Sequence, residues 1–375
     1  MNTAPQGRDE RLTALKSRVA SPFAAIWVAT ILLFIISPFV ASGSLGNSAL
    51  QGMLPFAGIL AIAAIGQTLV IQQGGLDLSV PGIFSMGAVL VVTIPGGNEG
   101  LLIPALLVVA AVGLVGGFLN GIAVTRFGIT PLVATLGSNA VFIGVVIQVT
   151  GGSIAFKSTK NWQSFTADKI LGVPILAVIA LIAVVIVALF VARTVWGRRF
   201  VLVGSNPLAA RAAGLPVEQY QVGTYAVAGL TYALAGALLS GYLQSPPLLP
   251  GNEYLLPTIA AVVLGGTALG GGRGSVIATA AGVLFLSQLE QVISALGAKH
   301  SVDFLIQGAI VALGMGLRNV PWNQVLPGRR GDDDLAPATA NGAPADTTSH
   351  DTASGASRTP FRENKEEDPI DVSKT

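Results

Sequence analysis

The chain has 375 residues, is 52% hydrophobic and only 11% charged, and carries a formal net charge of +2. An ordinary globular chain is about 25% charged, so a water-soluble globule is excluded and a polytopic membrane protein is indicated. The absence of cysteine excludes disulfides, iron–sulfur clusters and thiol catalysis, and the basic residues are not massed on one segment, so there is no nucleic-acid footprint.

In chain order, residues 1–18 form a short basic arm with Arg8, Arg11, Lys16 and Arg18. The apolar stretch that follows is about 19 residues, longer than the roughly 7–15 of a signal-peptide core. It reads as an uncleaved first transmembrane helix. The small residues Ala41-Ser42-Gly43 leave a cleaved signal as the other reading. Segments of about 20 apolar residues cross a bilayer core, and on that rule spans are predicted at 22–41, 54–72, 79–95, 101–125, 129–150, 172–193, 222–245, 256–271, 274–296 and 302–318. The predicted fold is therefore an all-α polytopic integral membrane bundle of about ten transmembrane helices. Its predicted parts are the arm 1–18, a transmembrane domain 19–320 with a cytoplasmic loop at about 194–221, and an acidic tail 321–375.

Ten spans put both termini on one side, and basic loops mark the cytoplasmic side. With the N-terminus inside, the inner loops carry Arg126, then Arg193, Arg198, Arg199 and Arg211, then Arg273, then Arg318, Arg329 and Arg330. The outer loops carry Glu99, Lys157, Lys160, Asp168, Lys169, Glu253 and Lys299. Lysines in 151–171 are the discordant set, and that loop is long enough to be partly folded. The expectation is N-in and C-in. The tail holds Asp332-Asp333-Asp334 and Glu366-Glu367-Asp368 among Ala, Pro, Ser and Thr. It lacks the apolar area to offset ordering and is expected to be disordered.

Small residues recur at every fourth position in four spans: Gly113, Gly117 and Gly121; Gly229, Ala233, Ala237 and Gly241; Gly274, Ala278 and Gly282; Gly308, Ala312 and Gly316. Each row lies on one helix face and allows backbones to approach closely. Packing within one chain and packing against a second copy both fit. Apolar runs also break twice at glycine pairs, at Gly74-Gly75 and at Gly265-Gly266 with Gly270-Gly271-Gly272. Interrupted helices in duplicated transporters and simple glycine turns explain these breaks equally.

The stretch Gly204 to Gly214 is a polar interlude between two spans. Asn206 suits an N-cap, Pro207 the first helical position, and Gly214 a left-handed helix end, with Pro216 preventing resumption. Two punctuated turns of helix result. They are either a part that presses on a partner or an ordinary loop.

No GxxxxGK[ST] phosphate loop occurs, so nucleotide is not hydrolysed here in the usual way. His300 and His350 have no second ligand at metal spacing. No enzyme and no metal site is read. Charges at membrane depth are expensive, which singles out Asp77 and Glu290. Asp77 either caps the next helix with Ser79 or lines a pathway. Glu290, beside Gln288 and Gln291, either reaches toward the outer face or lines a pathway. Gln67, Asn120, Asn139, Gln148, Gln244 and Gln307 either join helices by hydrogen bonds or touch a polar solute.

Specific strings then carry a resemblance. Thr68 through Val80, with Gly74-Gly75-Leu76-Asp77-Leu78-Ser79, resembles the Gly-Gly-Ile/Leu-Asp-Leu-Ser segment of the permease subunits of bacterial ribose-type ABC sugar importers. Asn120-Gly121 with Thr130-Pro131 to Thr135-Leu136-Gly137, and Thr150-Gly151-Gly152, are similar to further segments of that family. So are Gly204-Ser205-Asn206-Pro207 through Ala209, Ala210 and Gly214. Ile259 to Gly265-Gly266-Thr267, then Gly271-Gly272-Arg273-Gly274-Ser275, completes the set. The resemblance runs in order from about residue 20 to 320. Pro81 and Glu290 depart from the family's usual residues, and the tail lies outside the match.

The resemblance implies a permease of the bacterial inner membrane that forms the pathway for a sugar of the ribose, xylose or galactose type. It implies a second permease copy or paralogue, an extracytoplasmic sugar-binding protein, and a separate ATPase with tandem nucleotide-binding halves. ATP and Mg would sit on that partner, with no cofactor in this chain. Gly204, Asn206, Pro207, Ala209, Ala210, Arg211 and Gly214 would form the ATPase-coupling loop. Gly265, Gly266, Gly272, Arg273 and Gly274 would form the second-half glycine turn. Two other classes remain open from the residues alone. A proton-coupled secondary transporter would use Asp77 or Glu290 and survive loss of an ATPase. A membrane scaffold would use the small-residue rows and carry no flux.

Overall fold

A computed structural model describes residues 22–154, 156–297 and 300–319. The predicted arm 1–18 and tail 321–375, with Arg329, Arg330 and Lys299, lie outside those residues. The described chain is helical apart from one two-residue hairpin. In order the helices are α1 (Pro22–Val40), α2 (Asn47–Gln72), α3 (Val80–Thr93), α4 (Leu102–Thr125), α5 (Pro131–Thr150), α6 (Lys160–Ala167), α7 (Ile175–Arg193), α8 (Val195–Ser205), α9 (Pro207–Ala212), α10 (Val217–Leu243), α11 (Leu255–Leu264), α12 (Val276–Ala295) and α13 (His300–Asn319).

Each predicted apolar stretch falls on a helix, yet among the described residues seven helices are long and apolar enough to cross a membrane: α1, α2, α4, α5, α7, α10 and α12. The other stretches include two short helices. α3 has 14 residues and α11 has 10, so they span about 21 and 15 Å at 1.5 Å per residue, against a hydrocarbon core of about 30 Å. The stretch predicted at 256–271 is cut short because Gly266, Gly271 and Gly272 all have positive φ, which no helix continues through.

α2, α3 and α10 form the inner layer. α2 is buried along nearly all its length from Met53 to Gln72. The outer helices are apolar on the outside too. Ile31, Ile35 and Phe39 of α1, Val133 and Val141 of α5, and Leu181, Ile186 and Leu189 of α7 are all exposed. A helix that is apolar all round and exposes that surface suits lipid contact.

Lipid removes the hydrophobic drive between helices, so close backbone approach holds the bundle instead. Two of the small-residue rows meet each other. A Cβ at Gly113 would sit 2.6 Å from Gly229 O, one at Gly117 would strike Tyr225 O, and one at Gly121 would lie 2.7 Å from Val222 Cα. α4 and α10 therefore touch along the glycine face. α3 closes on α10 in the same way, with Gly87 against Ala233 O and Gly236 against Phe84 O. The third row seats α12 on α11 through Gly282 and Ala261. In the fourth row, Gly308 meets no neighbouring atom.

At the end of the bundle opposite α8 and α9, the segment 151–174 is folded. Glu99 Oε1 accepts from the amides of Lys160 (2.6 Å) and Asn161 (3.3 Å). Trp162 Nε1 donates to Ala237 O at 2.9 Å. Lys169–Ile170 pairs antiparallel with Val173–Pro174 across a turn in which Leu171 and Gly172 both have positive φ, the geometry of a tight hairpin.

Candidate functional site

The helix α9 is built as its residues require. Asn206 Oδ1 accepts from the amide of Ala209 at 3.0 Å, Pro207 takes the first position, and Gly214 closes the turn at φ +76. Leu215 N donates to Ala210 O at 3.0 Å, satisfying a carbonyl that the helix end would leave open. One side faces in: Ala210 is buried with Phe200, Val203, Val217 and Tyr220. The opposite side shows Pro207, Leu208, Ala209 and Arg211 to the outside, with Leu208 78% exposed. Beside α9 lies a cleft of about 580 Å³ lined by Arg126, Arg211 and Glu218 with Leu215 and Val222. Arg126 and Arg211, remote in sequence, thus belong to one end of the bundle.

α8 leads into α9 and lies against the C-terminus of α7. Thr194 Oγ1 caps it by accepting from Gly197 N at 2.9 Å, and a Cβ at Gly197 would strike the carbonyls of Phe190 and Val191. At its other end α8 reaches Gly204. There the carbonyl of Gln72, the last residue of α2, occupies the space a Cβ would need. Gln73 Nε2 donates to Phe200 O at 2.8 Å. The interruption between α2 and α3 is therefore fastened to the root of α9.

The second interruption arrives at the same point. Gly272 N donates to Gln72 O at 2.8 Å. A Cβ at Gly271 (φ +87) would lie 2.6 Å from Gly204 O, one at Gly272 2.7 Å from Ser205 Oγ, and one at Gly274 2.5 Å from the Gln72 side chain. Arg273 is exposed, and its carbonyl accepts from Ala268 N at 2.8 Å. Gly265 seats the end of α11 on α12, where a Cβ would lie 2.7 Å from Thr279 N. The three glycine-bearing strings converge on the Gln72 carbonyl, with Gly204 at their centre.

The polar residues within the bundle mostly join helices. Asp77, fully buried, accepts at Oδ1 from Ser79 N (2.9 Å) and Ser79 Oγ, and Asn120 Nδ2 of α4 donates to Ser79 Oγ at 2.9 Å. Leu78 N donates to Thr135 Oγ1 at 2.9 Å, and Gly82 N to Asn139 Oδ1 at 2.7 Å. The break after α2 is thus tied to α4 and α5. Gln67 Oε1 accepts from Tyr232 OH at 3.0 Å, and Gln288 Nε2 donates to Ser37 Oγ at 2.9 Å, fastening α12 to α1. Asp77 Oδ2, Gln67 Nε2 and Tyr225 OH are buried with no hydrogen-bond partner among the described residues.

Glu290 is placed differently. It is exposed and lines a cleft of about 210 Å³ with Glu253, Ser287, Gln307, Tyr254 and Phe304. Tyr254 is held by stacking on Phe84 of α3, ring centres 4.4 Å apart.

Several of these residues were not singled out from the sequence. Gln72 and Gln73 precede Gly74-Gly75, and a glutamine pair at the end of an apolar run was the signal available. Tyr225 and Tyr232 stand seven apart on one face of α10, a spacing that puts their hydroxyls on the same side. Glu253 was only a loop charge until the turn Pro250–Tyr254 brought it opposite Glu290.

Residues 49–315 match the family described as branched-chain amino acid transport system / permease component. The ribose import permease protein of Bacillus subtilis (strain 168) is 33% identical over 295 residues, covering 78% of this chain and 90% of that protein. A probable ABC transporter permease protein, y4mJ, of Sinorhizobium fredii (strain NBRC 101917 / NGR234) is 33% identical, covering 68% and 75%. The autoinducer 2 import system permease protein LsrC of Escherichia coli (strain K12 / DH10B) is 32% identical, covering 71% and 78%. No solved structure matches this chain.

Proposed function

The chain belongs to the family of branched-chain amino acid transport system permease components, and from that premise we propose that it carries a sugar, is powered by a separate ATPase docking on α9, and receives its solute from an extracytoplasmic binding protein. As a permease of this family it forms the translocation pathway, and it is a multi-pass protein of the bacterial inner membrane.

The observation that carries the reading is the convergence at Gly204. A helix showing Leu208 and Arg211 outward is rooted at the point where both interrupted helices meet. Force applied to α9 reaches the α2–α3 break through Gln72 and Gln73, and the α11–α12 break through Gly271 and Gly272. The cleft at the other end suits a sugar. Glu253 and Glu290 offer acceptors for hydroxyl groups, and Tyr254 and Phe304 offer aromatic faces for a sugar ring. The relatives named for import of ribose and of autoinducer 2 support the same choice.

The test is uptake by vesicles containing the permease, its ATPase and its binding protein. Labelled pentose should accumulate only with ATP on the ATPase side, and excess leucine should not compete. Arg211→Glu should abolish uptake while leaving membrane insertion intact. Accumulation driven by a proton gradient without ATP, competition by leucine, or full activity of Arg211→Glu would each reject the proposal.

A further inference from the structure

A groove of about 400 Å³ opens on the side of the bundle where α7 ends, α8 begins and α10 starts. Its walls are Phe190, Val191, Trp196, Phe200, Tyr220 and Val227. Phe190 and Trp196 are 50% and 61% exposed, and Phe190 stands one turn from the lipid-facing Ile186 on α7, so the groove is open to the bilayer rather than sealed in the core. Tyr220 is only 9% exposed and lies in the groove, and its hydroxyl has no hydrogen-bond partner among the described residues. Trp196 lies over Tyr220 with ring centres 5.8 Å apart, a pair with apolar bodies and polar tips of the kind that marks the membrane–water boundary.

Three arginines neighbour the lining residues in the chain. Arg193 follows Val191 by two residues, and Arg198 and Arg199 stand within one turn of Trp196. Arg198 folds back to donate to Arg193 O at 3.4 Å. All three are exposed, and among the described residues no carboxylate pairs with them. α8 is therefore a short interfacial helix in which the apolar Val195, Trp196, Phe200, Val201, Leu202 and Val203 flank two adjacent arginines. That pattern attracts anionic lipid.

We propose that this groove is a binding site for an anionic phospholipid. One acyl chain lies along Phe190, Trp196 and Phe200, and the phosphate is held by Arg193, Arg198 and Arg199. The site sits on the helix that leads to α9, so its occupancy braces α8 against α7 and α10.

The test uses the purified full-length permease without partners, in mixed micelles holding phosphatidylglycerol and phosphatidylcholine with identical acyl chains. Native mass spectrometry reads which lipid is retained. Phosphatidylglycerol should be retained in preference, and Arg198→Gln with Arg199→Gln should weaken it by about thirtyfold. Gly223 lines the groove, and a Cβ there meets nothing within 4 Å, so Gly223→Leu fills space without a clash. Val227→Trp fills the same groove from a second position. Both should abolish retention while the lipid-free melting temperature is kept. Equal retention of the two lipids would overturn the proposal. So would unchanged retention in both filled variants, which would mean attraction of the headgroup to the surface alone. Displacement of the lipid by millimolar inorganic phosphate would also overturn it, since the arginines would then hold free phosphate without need of an acyl chain.

Discussion

At the scale of single residues, Gly204 has the narrowest tolerance. Its Cα faces the Gln72 carbonyl with no room for a methyl group. A backbone carbonyl cannot rotate away as a flexible side chain can, so Gly204→Ala must displace either α8 or the end of α2. Overpacking of this kind costs about 1–3 kcal/mol. Gly137 on α5 is the contrast. It is helical and its Cβ position is empty, so Gly137→Ala should stabilise by up to about 1 kcal/mol through helix propensity. Thermal unfolding of the two variants in detergent checks the prediction: Gly204→Ala should lower the melting temperature and Gly137→Ala should leave it equal or raise it. Asp77 makes the complementary case. Its Oδ1 organises Ser79, and through it Asn120 of α4, so the carboxylate holds a helix interruption together.

At the scale of elements, α9 is six residues long, too short to be stable alone. It depends on its cap and on burial of Ala210. Asn206→Ala removes the hydrogen bond to Ala209 N and should cost about 1 kcal/mol locally. α9 buries only Ala210, against α8 and the start of α10, so the global melting point should move little while ATP-driven uptake falls severalfold. Comparing both quantities in one preparation decides it: an uptake rate equal to wild type would show that α9 order is irrelevant to transport. The pairing of α4 with α10 works by a different principle. It is fixed by complementary glycine faces, and no polar group is required for it.

For the whole molecule, Arg126, Arg193, Arg198, Arg211 and Arg273 gather at one end. Arg126 and Arg211 share a cleft, Arg198 reaches Arg193, and Gly272 next to Arg273 touches Ser205. The folded segment 151–174 stands at the other end, with Glu99 bound to its helix. The discordant lysines of that segment thus belong to a folded cap rather than a loose loop. Because the chain has no cysteine, single-cysteine probes are clean. Ser205→Cys should react with an impermeant maleimide only in inverted vesicles, and Asp168→Cys only in right-side-out vesicles or spheroplasts. The reverse pattern would invert the orientation.

The sequence alone carried what depends on local chemistry. Runs of apolar residues marked the helices, because a bilayer demands about 20 in succession. Asn206, Pro207 and Gly214 marked the two ends of α9, because caps act over three or four residues. The family was legible too, in strings that hold their order from Gly74-Gly75 to Gly274. What needed the tertiary structure was every relation between distant segments. Two apolar stretches proved to be half-length helices, because glycines held at positive φ stop the helix whatever the hydropathy beyond them. The meeting of Gly204, Gly271 and Gly272 at the Gln72 carbonyl, and of Glu253 with Glu290 across one cleft, leaves no trace in periodicity. Those contacts arise from close approach of backbones that are remote in the chain, and a glycine in a sequence does not say which carbonyl will fill the space it leaves.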